Sequence, residues 1–396
     1  MITNSYLISG ETYISQNRPD TTHNFPPDDE INEKYKKGEI RIVTEQARYP
    51  LDSIEAMLDS AKYIRNPEYQ RRKRWNNTRK SRLIESFIMN VPIPPIFLYE
   101  IDYSIYEVMD GQQRLTAIYD FYKGKFELEG LEYWQELNGR NYQNLPEQVQ
   151  KGIDRRYLSS IILLQETAKS KEEAEYLKQI VFERLNSGGE KLTAQETRNA
   201  LHNGKFNRLC IKLSENDPFR KMWNLPLESE GEEKLLESES YRKMEDVELV
   251  LRFFAYRHIE NLKSPVDKFL DEYLKQANNY SDQTIENLEN IFQQTIQLIY
   301  SILGDSAFIP PKEQRDRKTP LKTIYDPIMQ VFANNIPHKE SLLRNKADIK
   351  SNLYSNKELL YIKEENNRSL FDGRYNNKKD VEARIEYFHN FLKNYI

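Results

Sequence analysis

Two short apolar runs separated by a polar turn form the clearest pattern in the chain. The runs span Pro94–Glu100 and Tyr106–Met109, and their length and their apolar and aromatic content predict short buried strands. Asp110 and Gly111 then end the second strand. From Leu115 onward the apolar spacing is helical, with one face repeating every three or four residues. The polar stretch DGQQR, residues 110–114, therefore lies where a strand passes into a helix.

Strand and helix patterns alternate in the first half of the chain, and helical patterns prevail in the second. Strands are also predicted at 39–44 and 160–165, and helices at 52–60, after residue 78, at 146–157 and at 170–184. After residue 204 the strongest helical patterns span 244–262, 266–277, 284–303, 321–332 and 381–395. The expected fold class is α+β for the first half, followed by an all-α second half.

The lengths of the apolar runs and the cysteine count exclude a membrane protein and a disulfide-rich secreted protein. The 396 residues suffice for two domains with proper cores, and no apolar run approaches the length of a membrane span. No signal-peptide core opens the chain, and Cys210 is the single cysteine. We therefore expect a protein of the reducing cytoplasm without a membrane partner. Because the net charge is −4, binding of nucleic acid requires a local basic patch.

The densest positive cluster lies between residues 71 and 82, around Trp75. Its members are Arg71, Arg72, Lys73, Arg74, Arg79, Lys80 and Arg82. A run of charges is typical of a solvated surface, and it is also the pattern by which a protein contacts nucleic-acid phosphates. The sequence leaves both interpretations open for Arg72, Arg74, Arg79 and Lys80.

The DGQQR turn has the groups that an anion requires. The first turn of a helix has unpaired N–H groups and partial positive charge. Gly111 allows close approach of the main chain, and Arg114 can bind phosphate through its forked guanidinium. Gln112 and Gln113 can orient a water molecule, and Asp110 can hold Mg²⁺ or accept a proton. Spacing alone is equally compatible with an exposed polar start of a helix.

Three ordered motifs resemble one family. These are the QR pair Gln70–Arg71 with Trp75 after it, DGQQR, and the pattern FxxLNxxGxxLTxxE at 182–196. Together they resemble the N-terminal domain of GmrSD-type restriction proteins, in the ParB/sulfiredoxin-like superfamily. The resemblance is close over residues 40–201. It implies a small mixed sheet with helices, and binding and hydrolysis of a nucleoside triphosphate (NTP) with Mg²⁺.

The resemblance also implies roles for single residues. The catalytic candidates are Asp110, Gln112, Gln113 and Arg114, with Asp110 also the candidate Mg²⁺ ligand. The candidates for nucleotide and phosphate binding are Gln70, Arg71, Gly111, Asn186 and Gly189. The turn at 186–189 could cradle phosphate or simply join two helices. No sulfinic-acid reduction is expected, because no cysteine lies near DGQQR.

The predicted organisation has three parts: a flexible N-terminal arm at 1–38, the DGQQR domain at 39–203 and a helical domain at 204–396. Larger relatives of this type carry a C-terminal HNH nuclease domain, which needs a histidine base and metal ligands on a ββα element. None of the five histidines lies in such a pattern. We therefore expect the chain to regulate a separate nuclease or to act by another route.

Three functions follow for comparison. The leading hypothesis is an NTP-binding and NTP-hydrolysing component of a bacterial restriction or antiphage system that acts on modified or phage DNA. The second is a non-catalytic DNA-binding module with the same fold. The third is a nuclease or toxin of the helical half, because Arg252 with His258 and Arg384 with His389 resemble the R-x(4–6)-H pattern of HEPN ribonucleases. A homo-oligomer is compatible with all three.

Overall fold

The structure is a computed structural model that describes residues 7–14, 26–37, 42–64, 75–164, 170–185, 192–262, 265–310, 319–355, 371 and 377–396. The chain forms two compact units. One unit spans Pro19–Leu192, and the other combines Met1–Arg18 with Thr193–Ile396. We call them the sheet unit and the helical unit.

The sheet unit is built on five strands in the order β1-β5-β3-β4-β2. The strands are β1 (Thr44–Pro50), β2 (Tyr63–Ile64), β3 (Ile96–Asp102), β4 (Ile105–Asp110) and β5 (Tyr157–Leu163). The pairs β1–β5 and β3–β4 are antiparallel, whereas β3–β5 and β2–β4 are parallel. The sheet is therefore mixed, and the predicted α+β fold class is confirmed.

One face of this sheet carries the main core of the unit. Leu98 pairs with Val108 on β4 and with Ile162 on β5, so these three side chains form one row across the sheet. All three are buried in one cluster with residues from four helices. The helices are α2 (Ile54–Asp59), α3 (Asn77–Ile88), α4 (Gln112–Tyr122) and α5 (Glu147–Asp154). Two further helices, α1 (Asp28–Lys37) and α6 (Lys171–Leu185), complete the described part of the unit.

The first strand differs from its prediction. The apolar alternation at 39–44 predicts a strand there; residues 39–41 lie outside the described residues, residues 42–43 are not in a strand, and β1 spans Thr44–Pro50. β1 is an edge strand with mostly exposed or half-exposed side chains. Its place is set by the main-chain ladder to β5, in which Arg48 faces Ser159. A pattern of buried side chains cannot indicate such a strand.

The helical unit consists of packed helices in its described residues, as predicted. They are α7 (Ala194–Leu201), α8 (Lys205–Ser214), α9 (Asp217–Met222), α10 (Glu232–Glu237), α11 (Glu239–Arg242), α12 (Glu245–Tyr256), α13 (Val266–Ala277), α14 (Asp282–Leu303), α15 (Lys322–Asn334), α16 (Lys339–Arg344), α17 (Lys346–Asn352) and α18 (Lys378–Leu392). Phe253 and Phe254 of α12 contact Phe292 of α14 at the centre of the core. In the described ranges, no helix combines the length and the apolar character that crossing a membrane requires.

Of the predicted N-terminal arm at 1–38, the structure describes residues 7–14 and 26–37. The polar composition of 1–38 predicts a mobile segment, yet Glu11 is buried in the helical unit and residues 28–37 form α1. The reason is an ion pair between Glu11 and Arg257, which lies far away in the sequence. The division of the chain after Leu192 also places α7 in the helical unit, whereas the sequence predicts a boundary after residue 203.

Candidate functional site

The strand-to-helix turn at 110–114 depends on Gly111. β4 ends at Asp110, Gly111 has a φ of +92°, and α4 begins at Gln112. A Cβ atom on residue 111 would lie 2.3 Å from Cγ2 of Ile96 and 3.0 Å from Nη2 of Arg114. Both the left-handed conformation and the close packing therefore require glycine. The turn brings the main chain against β3 and the Arg114 side chain.

Arg114 is fixed beside this turn by two acceptors. Its Nη2 donates to Oδ2 of Asp110 at 2.7 Å and to the carbonyl oxygen of Pro95 at 3.2 Å. The Arg114 side chain is 17% exposed, whereas that of Asp110 is 45% exposed. The guanidinium thus lies mostly under the surface, and the carboxylate partner reaches solvent. Because water solvates the Asp110 carboxylate, Asp110 can release Arg114 and bind another cation at a small cost in free energy.

Two donors at the start of α4 have no acceptor. Nε2 of Gln112 and Nε of Arg114 are shielded from water and unpaired within the described part of the chain. A buried unpaired donor costs about 1–3 kcal/mol. No side chain caps this helix, so its first N–H groups add partial positive charge. The arrangement suits an anion, which would supply the missing acceptors.

Gln113 has a structural contact. Its Oε1 accepts a hydrogen bond from the main-chain N–H of Trp75 at 3.1 Å. The next residue, Asn76, caps α3 by accepting from the N–H of Arg79 at 2.9 Å. Gln113 therefore joins the turn to the chain that enters α3. Since its oxygen is engaged, Gln112 is the amide of the pair better placed to orient a water molecule.

The described basic residues of α3 divide into exposed and internal ones. Arg79 is exposed and lies over the ring of Trp75, with 4.7 Å between the guanidinium carbon and the ring centroid. Lys80 is mostly buried and forms an ion pair of 2.8 Å with Asp120. Arg79 thus remains a candidate phosphate contact, whereas the contact of Lys80 with Asp120 indicates a structural cation.

Six predicted site residues lie outside the described ranges. They are Gln70, Arg71, Arg72, Arg74, Asn186 and Gly189. The five residues of the DGQQR turn are all described, and the structure brings them together at one strand end. The predicted roles of the other six stay predictions.

Asp110 fits a magnesium site of the type found with nucleotides. The described residues form no group of three or more histidine, cysteine, aspartate or glutamate side chains that could hold a metal alone. Mg²⁺ commonly takes one or two carboxylates and completes its shell with phosphate oxygens and water. A single partly exposed carboxylate beside an anion site meets that requirement.

Sequence reasoning missed a buried ion pair on the other face of the sheet. Oε2 of Glu107 lies 2.6 Å from Nζ of Lys178 on α6, and both side chains are at most 15% exposed. Burial and the nearby Glu107 and Glu175 carboxylates raise the pKa of Tyr99 above its ordinary value. The pair attaches α6 to β4, the strand that ends in the turn. A charged residue inside the apolar run YEVM was the available signal.

Three of the four candidate nuclease residues of the helical unit, Arg252, His258 and Arg384, are internal, whereas His389 is partly exposed. Arg252 donates to Oδ1 of Asp326 at 3.0 Å and to the hydroxyl of Tyr256 at 2.8 Å. His258 and Arg384 are each 1% exposed. Groups that are buried and engaged in this way cannot contact an RNA backbone without rearrangement of the core. The geometry therefore gives the nuclease hypothesis no surface site at Arg252, His258 or Arg384.

Comparison with known proteins gives one result. No curated protein and no solved structure matches the chain significantly. Residues 54–203 match the model of the family described as GmrSD restriction endonuclease, N-terminal domain. The matched segment contains β3, β4, the DGQQR turn and α4, and it extends into the helical unit through α7. Over residues 54–203, the chain is therefore similar to the N-terminal domain of GmrSD restriction endonucleases.

Proposed function

We propose that the DGQQR turn binds the phosphates of an NTP and hydrolyses it with Mg²⁺. The single observation that carries this proposal is the pair of unpaired, water-shielded donors on Gln112 and Arg114 at the start of an uncapped helix. Such donors are costly in a protein core and are explained by a bound acceptor. The family match supplies the setting, a component of a restriction or antiphage system that acts on DNA.

Each residue of the turn has a distinct role in this proposal. Gly111 lets the main-chain N–H groups of α4 face the anion. Arg114 turns from Asp110 to the terminal phosphate and balances the charge that develops there. Gln112 orients the attacking water, and Gln113 keeps the turn attached to Trp75. Gln70 and Arg71 would add phosphate contacts, as would Asn186 and Gly189 from the second loop.

The reaction needs little covalent chemistry from the protein. Asp110 would hold Mg²⁺, which when bound would neutralise charge on the phosphate oxygens. The water oxygen bonds to the terminal phosphorus as the bond to the bridging oxygen breaks, so the products are a nucleoside diphosphate and phosphate. Asp110 holds the metal or directs the water, because its exposed carboxylate is released when Arg114 moves. Positioning and electrostatics supply the rate enhancement.

Phosphate release tests the proposal. The assay compares ATP, GTP, CTP and UTP with Mg²⁺, with and without DNA, for the wild type and Arg114→Ala. We expect turnover of at least one NTP and a loss of about 100-fold or more in the variant, the usual effect of removing one charge-stabilising donor. Arg82→Ala is the matched control, because this α3 arginine is exposed and pairs with Glu132, which is itself exposed.

The outcomes separate three cases. Turnover that is lost in Arg114→Ala but not in Arg82→Ala supports catalysis at the turn. Thermal stabilisation by an NTP without turnover would make the domain a nucleotide sensor whose partner, a separate nuclease subunit, performs the chemistry. If no NTP binds and none is hydrolysed, the proposal is wrong.

A DNA-binding module is the second candidate, and one observation favours it. Exposed Arg79 lies over the half-buried ring of Trp75 at the start of α3, a combination that suits a phosphate and a base. DNA binding that weakens steeply with salt, with no effect of any NTP, would favour this function. Arg79→Ala should then reduce the salt slope, while Lys80→Ala should act through stability because of its pairing with Asp120.

A further inference from the structure

Trp75 and Arg79 form a stacked pair at the start of α3, which we call the stacking platform. Arg79 lies over the indole ring of Trp75, with 4.7 Å between the guanidinium carbon and the ring centroid. Trp75 is half-buried and packs against the core of the sheet unit, whereas Arg79 is exposed. One side of the guanidinium therefore faces the indole ring, and its exposure leaves the other side to a ligand.

The start of α3 holds the platform in this arrangement. Asn76 accepts from the N–H of Arg79 at 2.9 Å and so fixes the first turn of the helix. Side chains on a helix tilt toward its N-terminus, which directs Arg79 back to Trp75, four residues earlier. Lys80 and Arg82 each form an ion pair with a carboxylate, whereas Arg79 forms none within the described part of the chain. The Arg79 guanidinium is thus held by stacking and keeps its capacity for a planar ligand.

One hydrogen bond connects the platform to the DGQQR turn. The main-chain N–H of Trp75 donates to Oε1 of Gln113 at 3.1 Å. Gln113 lies between Gln112 and Arg114, the two residues with unpaired, water-shielded donors. The platform and the proposed phosphate site are therefore one glutamine side chain apart.

Further contacts fix α3, which carries the platform, against its surroundings. Lys80 of α3 and Asp120 of α4 form an ion pair of 2.8 Å, and their side chains are 17% and 14% exposed. Thr78 donates to Oε1 of Glu129 at 2.9 Å, and Oγ of Ser81 accepts from the N–H of Glu129 at 3.0 Å. The fold thus sets the spacing between the platform and the turn, and such preorganisation lowers the entropic cost of binding a ligand that contacts both.

We propose that the stacking platform binds the nucleobase of the NTP whose phosphates bind at the DGQQR turn. This inference rests on the proposed function, and it adds Arg79 and Trp75 as the residues that distinguish a nucleotide from free phosphate. Nucleobases stack on arginine planes and on aromatic rings in proteins. A base on the outer side of Arg79 completes a stack of indole, guanidinium and base, in which the cation lies between two π systems.

Single-stranded DNA also offers bases, but the described residues favour a nucleotide. A DNA backbone requires several cations that are free to contact phosphates. The next two cations of α3, Lys80 and Arg82, are already paired with Asp120 and Glu132. A nucleotide requires one site for a base and one for phosphates, and the hydrogen bond from Trp75 connects two such sites.

Calorimetry with NTPs and with inorganic tripolyphosphate tests the proposal, because only the NTPs carry a base. The wild type and Arg79→Ala are titrated with ATP, GTP, CTP, UTP and tripolyphosphate, each with Mg²⁺. In the wild type, at least one NTP should bind about tenfold more tightly than tripolyphosphate, the usual scale of base stacking. Arg79→Ala should weaken that NTP about tenfold and tripolyphosphate less than about twofold. Arg82→Ala, the matched control, should change neither affinity.

Arg79→Lys separates stacking from charge. Lysine keeps the positive charge but lacks the planar guanidinium, so NTP affinity should fall nearly as far as in Arg79→Ala. Two results would overturn the assignment of the base and would show that Arg79 acts through its charge. One is full NTP affinity in Arg79→Lys, and the other is an equal loss for the NTP and for tripolyphosphate in Arg79→Ala.

The same titrations separate failure of this inference from failure of the proposed function. If the wild type binds tripolyphosphate and every NTP equally, the turn is a phosphate site and the platform takes no base. If neither ligand binds, both proposals are wrong. A single-stranded oligonucleotide without a terminal phosphate tests the other source of a base. Oligonucleotide binding that depends on Arg79, together with NTP binding that does not, would assign the platform to DNA and overturn the inference.

Discussion

Arg114 and Arg198 both lie on helices within the family match, and their side chains are satisfied in opposite ways. Arg198 is 1% exposed and its three nitrogens all donate, to Asp271, Glu248 and Asp267 among others. Arg114 has one carboxylate partner, a carbonyl and an unpaired Nε. A fully paired arginine with three acids stabilises its unit. A partly paired arginine at a helix start keeps capacity for an anion.

The largest stability effect should come from Arg198→Ala. It removes one of the two cations that face the mostly buried Glu248, Lys322 being the other, and breaking a fully buried pair commonly costs about 3–5 kcal/mol. Because Asp267 and Asp271 are 66% and 44% exposed, solvent screens part of the loss, and we expect about 2–4 kcal/mol. Arg114→Ala should cost less than about 1 kcal/mol, since Asp110 can be solvated. Chemical denaturation of both variants measures the difference.

The opposite ranking would contradict this comparison. If Arg114→Ala destabilised the chain more than Arg198→Ala, Arg114 would be a structural residue like its counterpart. The proposed anion site would then lose its main cation. Activity measured on the folded fraction of each variant separates the two effects.

Gly111→Ala should give the next largest effect, because it combines strain with a clash. The left-handed φ costs about 1 kcal/mol for alanine, and the contact with Ile96 forces a shift of β3 or α4. We expect about 2–3 kcal/mol in denaturant unfolding, together with loss of NTP binding. Gly139→Ala is the matched control, since Gly139 has a φ of +80° but nothing within 4 Å of its Cβ position. Equal losses in the two variants would remove the argument for close packing at the turn.

Acid should weaken the helical unit through Glu248. Burial alone would raise the pKa of Glu248, but the charges of Lys322 and Arg198 outweigh it and hold the pKa below its ordinary value of 4.5. A carboxylate with a lowered pKa contributes stability that is complete above its unfolded pKa and is lost as the pH falls through its folded pKa. The free energy of unfolding should therefore decrease from about pH 5 toward about pH 3. Glu248→Gln should flatten this slope, and an unchanged slope would assign it to other carboxylates.

The sequence predicts elements well where side chains are buried in a regular pattern. The apolar runs around β3, β4 and α4 place the DGQQR turn correctly, because buried alternation and helical spacing both mark it. β1 was misplaced because its position depends on main-chain pairing with β5. The pairing of Glu107 with Lys178 was missed because a charged residue inside an apolar run signals a partner but does not show which distant residue supplies it.

Contacts between distant segments also explain which features of the helical unit the sequence did not predict. Glu11 lies in a polar stretch that predicts a mobile arm, and only its contact with Arg257 reveals a fixed position. Glu248 and Arg198 likewise fall on helices whose patterns show amphipathic faces but not partners. The residue types at 110–114 indicated an anion site, whereas the unpaired donors that support it are visible only in the structure.

Substitution of Gln113 should give the smallest loss of stability, and it separates a structural role of this residue from a catalytic one. Gln113→Ala removes the acceptor for the Trp75 N–H and should cost about 0.5–1.5 kcal/mol, the net value of one hydrogen bond. Gln113→Glu keeps an acceptor oxygen at the same length, so it should retain most of that stability and serves as the matched control. NTP turnover, corrected for folded protein, then separates positioning from catalysis. If Gln113 only positions Trp75, the glutamate variant keeps most of its turnover. If its amide also orients the attacking water, turnover falls in both variants although stability falls in only one.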